Sequence, residues 1–160
     1  MLVTARANTG DERDRGVIAH ATSLDLESWQ VHPPLSDPGA GFTHLEVPQV
    51  VQFDSRALLL FSCDGPALAG ERSGRTGGIW ALELDSPLGP FDVAHAHLLA
   101  DERLYSGRAI RDREGSWVLL AFENSSPDGS FVGAISDPVP LRWDAVDSTI
   151  HLLPRSEELA

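Results

Sequence analysis

The sequence predicts an all-β chain: a partial β-propeller of about three blades, the first lacking its innermost strand. Three observations predict it. Short, strongly apolar strands recur at 1–5, 57–61 and 117–121, each followed by a polar, Gly-containing loop at 8–15, 64–76 and 123–130. A second strand with a small residue near its start follows each loop, at 16–19, 78–81 and 131–134. Each unit then closes on a Ser/Asp/Pro turn and an aromatic: Ser23-Leu24-Asp25 with Trp29, Asp85-Ser86-Pro87 with Phe91, Ser136-Asp137-Pro138 with Trp143. A period of roughly 50–60 residues with three or four strands per unit is blade spacing. An antiparallel sandwich also has short strands at regular intervals, but the aromatic-after-turn element, present in every unit, favours the propeller.

The units fall at residues 1–40, 41–103 and 104–155 of a single domain. The first has no strand before Met1 to line the central channel, so it is incomplete. Met1 reads as an internal methionine in a strand, and the expectation is a protein longer at its N-terminus; pairing with another chain is the alternative. The second opens on Leu45-Glu46-Val47-Pro48-Gln49-Val50-Val51-Gln52-Phe53, stopped by Asp54-Ser55. Pro48 cannot donate a ladder hydrogen bond, so one edge of this strand is expected to be unpaired. Glu46 is a carboxylate in an apolar run, costly to bury without a partner. A channel-lining strand accommodates both. The third unit opens on residues 106–113. Helical leaning is confined to Ser156-Glu157-Glu158-Leu159, too short to hold. Three blades do not close a ring of about four to eight, and open blade edges invite self-association.

Composition narrows the function classes. The 160-residue chain has a net charge of −12 and its 12 basic residues are all arginine, a balance that repels nucleic-acid phosphates and anionic membranes. An apolar fraction of 42% supports a core rather than disorder. The single cysteine, Cys63, forms no internal disulfide, and six scattered His without a paired spacing predict no metal site and no cofactor. No run approaches a membrane span, and Met1-Leu2-Val3-Thr4-Ala5 is too short for a leader's apolar core. The sequence as it stands reads as cytoplasmic; a leader upstream of Met1 would change that. The glycines between Gly70 and Gly78 precede no Gly-Lys-Ser/Thr, so they form no phosphate loop. Asp11-Glu12-Arg13-Asp14-Arg15 reads as a solvated loop, His20 and His32 as surface residues, and Trp29, Phe91 and Trp143 as packing anchors between blades.

The segment from Arg15 to Trp29, with Ser23-Leu24-Asp25-Leu26-Glu27-Ser28-Trp29, resembles the Ser-x-Asp-Leu-x-x-Trp stretch of family 32 glycoside hydrolases, the β-fructosidases. Glu46-Val47-Pro48 is similar to that family's Glu-Cys-Pro motif, with Val for Cys. Leu104-Tyr105-Ser106 is similar to its Phe-Tyr-Ala element, and Leu152-Leu153-Pro154-Arg155 to the Leu-Pro-Arg that ends its propeller. The resemblance implies a five-bladed propeller, N-terminally truncated, acting on fructosyl bonds of sucrose or fructans by a retaining two-carboxylate mechanism. It implies Glu46 as general acid/base and a fructoside as the carbohydrate partner. The family's Asn-Asp-Pro nucleophile motif and Arg-Asp-Pro motif have no counterpart here, and its C-terminal sandwich is missing, so the chain alone is expected to be inactive or nearly so.

Retaining hydrolysis needs two carboxylates about 5–5.5 Å apart, and the proton donor needs an apolar setting that raises its pKa. Glu46, between Leu45 and Val47, has that setting on paper; otherwise it is a carboxylate on the solvent face of a half-buried strand. Tyr105 either meets a sugar ring or is a rim aromatic with a satisfied hydroxyl. His44 and Arg108 alternate with residues facing the sheet's other side and are candidates to reach the cavity. Asp64 and Asp101 lie near strand ends, with nothing in their spacing to promote them as nucleophile. Two rivals remain: a carbohydrate-binding propeller remnant without chemistry, and a related propeller glycosidase acting on arabinosides or mannosides.

Overall fold

A computed structural model describes residues 1–53, 55–144, 146 and 149–153. Asp54, Pro154-Arg155 and the tail Ser156-Glu157-Glu158-Leu159 lie outside the described residues. Three antiparallel sheets follow one another along the chain. The first runs β1 (Leu2–Arg6), β2 (Gly16–Thr22), β3 (Gln30–Val31). The second runs β4 (Glu46–Phe53), β5 (Arg56–Cys63), β6 (Gly78–Leu84), β7 (His97–Asp101). In the third, β8 (Leu104–Arg111) pairs with one edge of β9 (Trp117–Ser125), while β10 (Phe131–Ile135) and β11 (Val139–Asp144) share its other edge. The Ser136-Asp137-Pro138 break separates these two, and β12 (Thr149–Leu152) pairs with β11. Among the described residues there is no α-helix, only 3₁₀ turns. The fold is all-β, a sector of a propeller.

The unbroken apolar run of β5 has a direct cause. Its residues alternate between two cores: Leu59, Phe61 and Cys63 pack with Ile18, Phe42 and Trp80, whereas Leu58 and Leu60 pack with Ile79, Leu119 and Ile150. The middle sheet is therefore covered on both faces, as a blade between two others must be, and period-two alternation disappears from its sequence. By contrast β10 is exposed along its whole length. Pro48 sits on β4, the edge strand that pairs only with β5, where its missing N–H leaves no ladder bond unmade.

Three of the smaller expectations need correction. Trp29 is an exposed side chain whose indole N–H donates to Leu26 O (3.2 Å), so it anchors its own turn rather than a neighbouring blade. Phe91 is buried in the first core, and Trp143 packs on the second beneath the Arg56 guanidinium, both as anchors should. His20 and His32 are half-buried and stacked at 4.7 Å. Asp14 is no solvated loop residue: its Oδ1 accepts from the backbone N–H groups of Gly41 (2.6 Å) and Phe42 (3.2 Å), tying the first unit to the second.

The channel edges of the second and third sheets are joined by a side chain acting as backbone. The Gln49 amide accepts from Ala109 N–H (3.0 Å) and donates to Ala109 O (3.0 Å). Gln49→Ala orphans both backbone groups, and each partly buried orphan costs about 1–3 kcal/mol. A loss of about 2–4 kcal/mol is expected as a lower urea midpoint at unchanged m-value; a shift under about 0.5 kcal/mol would show that water replaces the amide without cost.

Candidate active site

The site lies at the N-terminal ends of the two complete inner strands. In β4 the pairing slips by one residue between Glu46 (opposite Ser62) and Gln49 (opposite Leu60), and Val47 at the slip has φ 45°. β8 repeats the device between Tyr105 (opposite Phe122) and Arg108 (opposite Leu120), with Ser106 at φ 53°. A positive φ is a steric outlier for a β-branched valine, and bulges of this kind re-aim the side chain beside them. Here they turn a carboxylate and a phenol toward each other: Tyr105 O–H donates to Glu46 Oε2 at 2.8 Å. Surrounding contacts hold both bulges. Ser106 N–H donates to the buried Ser62 Oγ (3.0 Å), and the Arg108 guanidinium donates to Val47 O.

A hollow of about 530 Å³ opens over this pair, lined by His44, Glu46, Asp64, Glu102, Tyr105 and Phe122, with Pro66 and Asn124 at its margin. His44 Nε2 lies 3.4 Å from Asp64 Oδ1 and 3.8 Å from Glu46 Oε1. Glu102 is held by its Oε2, which accepts from Gly65 N–H at 3.0 Å. Burial, and after it the hydrogen bond to Glu46 and the charges of Glu46 and Asp64, push the Tyr105 phenol far above its usual range. It therefore stays a donor at every physiological pH and fixes the orientation of the carboxylate it serves.

Of the four residues singled out from sequence, the structure brings Glu46, Tyr105 and His44 together in the hollow. Arg108 is turned to the Val47 carbonyl instead, where it braces the bulge. The setting of Glu46 differs from its apolar neighbours in sequence: Leu45 is fully buried in the first core, while the Glu46 side chain is 42% exposed among His44, Tyr105 and Asp64. Asp64 and Glu102 join the site without a motif to announce them; the only sequence signal for Asp64 is a polar residue directly after an apolar strand. Asp101 is engaged elsewhere, bonded by Arg103, which holds its carboxyl below the usual range. Acceptor carboxylates around an aromatic face suit a neutral polyhydroxylated ligand: the oxygens take hydroxyl protons, and Phe122 offers a ring to stack on.

Neither a protein-family model nor a curated protein matches the sequence. Solved structures do match. An inulosucrase from Halalkalicoccus jeotgali, bound to kestose, superposes with a TM-score of 0.73 at 20% identity over 94% of this chain and 45% of its own. A family 32 β-fructofuranosidase from Bombyx mori superposes with a TM-score of 0.67 at 19% identity over 98% of this chain and 34% of its own. The chain has the fold of the β-fructosidase-type propellers. A levansucrase from B. megaterium carries the same fold, with a TM-score of 0.63 at 14% identity over 88% of this chain. The propeller sector seen here spans less than half the length of each of these structures.

Proposed function

We propose that this propeller sector supplies the acid/base wall of a glycosidase site cleaving fructosyl bonds, with Glu46 as the proton-transferring carboxylate. One observation carries the reading: the Tyr105–Glu46 hydrogen bond joins two neighbouring inner strands at the hollow of about 530 Å³. A carboxylate set by a permanent phenol donor, half open to solvent, can reach a glycosidic oxygen and exchange protons with water between steps. Tyr105 positions it, His44 and Asp64 flank it, and Phe122 forms the apolar wall. The sequence contains no Asn-Asp-Pro motif to place a second carboxylate across the bond. By itself the 160-residue chain is expected to bind fructosides and to turn them over at background.

The substrate class is tested by titrating the chain with sucrose, kestose, inulin and levan oligosaccharides, and with arabinan and mannan oligosaccharides, in a calorimeter. Fructosides are expected to bind in the millimolar range, where about 4 kcal/mol is gained, and Tyr105→Ala to weaken them about tenfold. Binding of arabinosides or mannosides without fructosides would overturn the substrate assignment. Robust sucrose hydrolysis by the chain alone would overturn the need for a second carboxylate from outside it.

A further inference from the structure

Beside the Tyr105–Glu46 pair stands a second constellation, which shares His44 and Asp64 with the hollow and adds the buried Cys63. A ring nitrogen of His44, Cys63 Sγ and an Asp64 carboxylate oxygen lie within 4.8 Å of one another. They come from the loop before β4 and, nineteen and twenty residues on, from the last residue of β5 and the one after it, brought near by the antiparallel β4–β5 pairing. His44 Nε2 is a buried nitrogen with no hydrogen-bond partner. Its near neighbours, Asp64 Oδ1 at 3.4 Å and Glu46 Oε1 at 3.8 Å, are ion-pair contacts without hydrogen-bond geometry, and a ring nitrogen left so beside a carboxylate is suited to a cation. The His44–Asp64 separation of 3.4 Å is close to the edge of a tetrahedron whose centre lies about 2.0–2.2 Å from N and O ligands.

We propose that His44, Cys63 and Asp64 form a binding site for a borderline-soft divalent cation of the Zn²⁺ class. The donor set decides the class: one imidazole nitrogen, one sulfur and one carboxylate oxygen suit Zn²⁺ or Co²⁺, whereas Ca²⁺ and Mg²⁺ require all-oxygen shells. Three protein ligands would leave one position of a tetrahedron to water or to Glu46, whose Oε1 lies 3.8 Å from His44 Nε2. Cys63 binds as thiolate: the S–H bond breaks, the sulfur pair forms the bond to the cation, and the proton leaves to solvent. Without a cation the Cys63 S–H donates to Ala67 O (3.7 Å) and Asp64 O (3.8 Å), contacts that the bond to the cation would replace. Burial otherwise pushes the thiol up to about 12, so the cation-free residue stays protonated. A bound cation would hold His44 and Asp64 away from a sugar, making the ion an antagonist of the fructoside site.

The experiment is a Co²⁺ titration of the 160-residue chain at pH 8, read by absorbance, so its outcome is independent of any turnover. A thiolate-to-Co²⁺ charge-transfer band in the near ultraviolet, saturating at one ion per chain, is expected together with visible d–d bands of tetrahedral intensity. Cys63→Ser should remove the charge-transfer band. Asp64→Asn, at a half-exposed position that leaves the core intact, should weaken binding about 10–100-fold, the range seen even for residues that only support a ligand. Absence of the charge-transfer band at millimolar Co²⁺ overturns the proposal. So does a band that persists in Cys63→Ser, or, should that variant fail to fold, an affinity unchanged in Asp64→Asn.

Discussion

Gly78→Ala is expected to destabilise the chain by about 3–5 kcal/mol, the range reached when backbone strain and a backbone clash coincide. Gly78 opens β6 between Cys63 and Asp101, at φ 137°. A methyl placed there would stand 2.1 Å from Ala100 O and 2.6 Å from the Asp101 carbonyl carbon. Neither is the tip of a flexible side chain; relieving the contact means parting β6 from β7. Gly77 is equally confined, with an added methyl 2.3 Å from the Asp64 carbonyl carbon and from Gly65 N. The two glycines let the chain pass against the turn that presents Asp64 to the hollow, so close backbone approach is a condition of the site. A domain of this size has about 5–15 kcal/mol to lose, and a collapse in soluble yield or urea midpoint is the expected readout. Gly115→Ala separates the two causes: its φ is 86° but nothing lies within 4 Å, so strain alone acts and the loss should be about 1 kcal/mol. Equal losses in the two variants would show that sterics at Gly78 relax without cost.

The fold was legible because its repeat is physical. Each unit carries the same order of apolar strand, loop and second strand, and β5 and β6, covered on both faces, stand out as continuous apolar runs. The inner strand of the middle unit was legible for another reason: a proline and a carboxylate are tolerated together only on an open edge. What escaped was whatever depends on tertiary pairing. Trp29 shares its place in the repeat with Phe91 and Trp143, yet the first sheet leaves it in solvent. Arg108 has the right alternation for the cavity, but the bulge at Ser106 breaks the alternation on which that reading relies. Asp64 and Glu102 enter the hollow from turns, where no periodicity marks orientation. The His44–Cys63–Asp64 group could not be seen as a cluster, since His44 meets the adjacent Cys63-Asp64 pair only through the β4–β5 pairing.

In any assembly in which this chain turns over a fructoside, Glu46→Gln is expected to lower kcat by about 10²–10⁴, the usual contribution of general acid–base catalysis, with KM nearly unchanged. The amide keeps the shape of the side chain and can still accept from Tyr105 through its oxygen, so the hollow and the bulge at Val47 persist. What is lost is the ability to give a proton to the departing oxygen and take one from water. The loss must therefore depend on the leaving group. An aryl fructoside, whose phenolate departs without a proton, should recover most of the rate of the bond-breaking step in the variant, whereas sucrose should not. Tyr105→Phe supplies the contrast: it frees the carboxylate without removing it, and one lost charge-assisted hydrogen bond of about 1.5–3 kcal/mol sets a ceiling of roughly 10–100-fold, on both substrates alike. An equal loss on sucrose and the aryl fructoside in Glu46→Gln would reduce Glu46 to a binding or structural residue. A fall within tenfold on sucrose would mean that another group donates the proton, and Asp64, on the same hollow, would be the first to test.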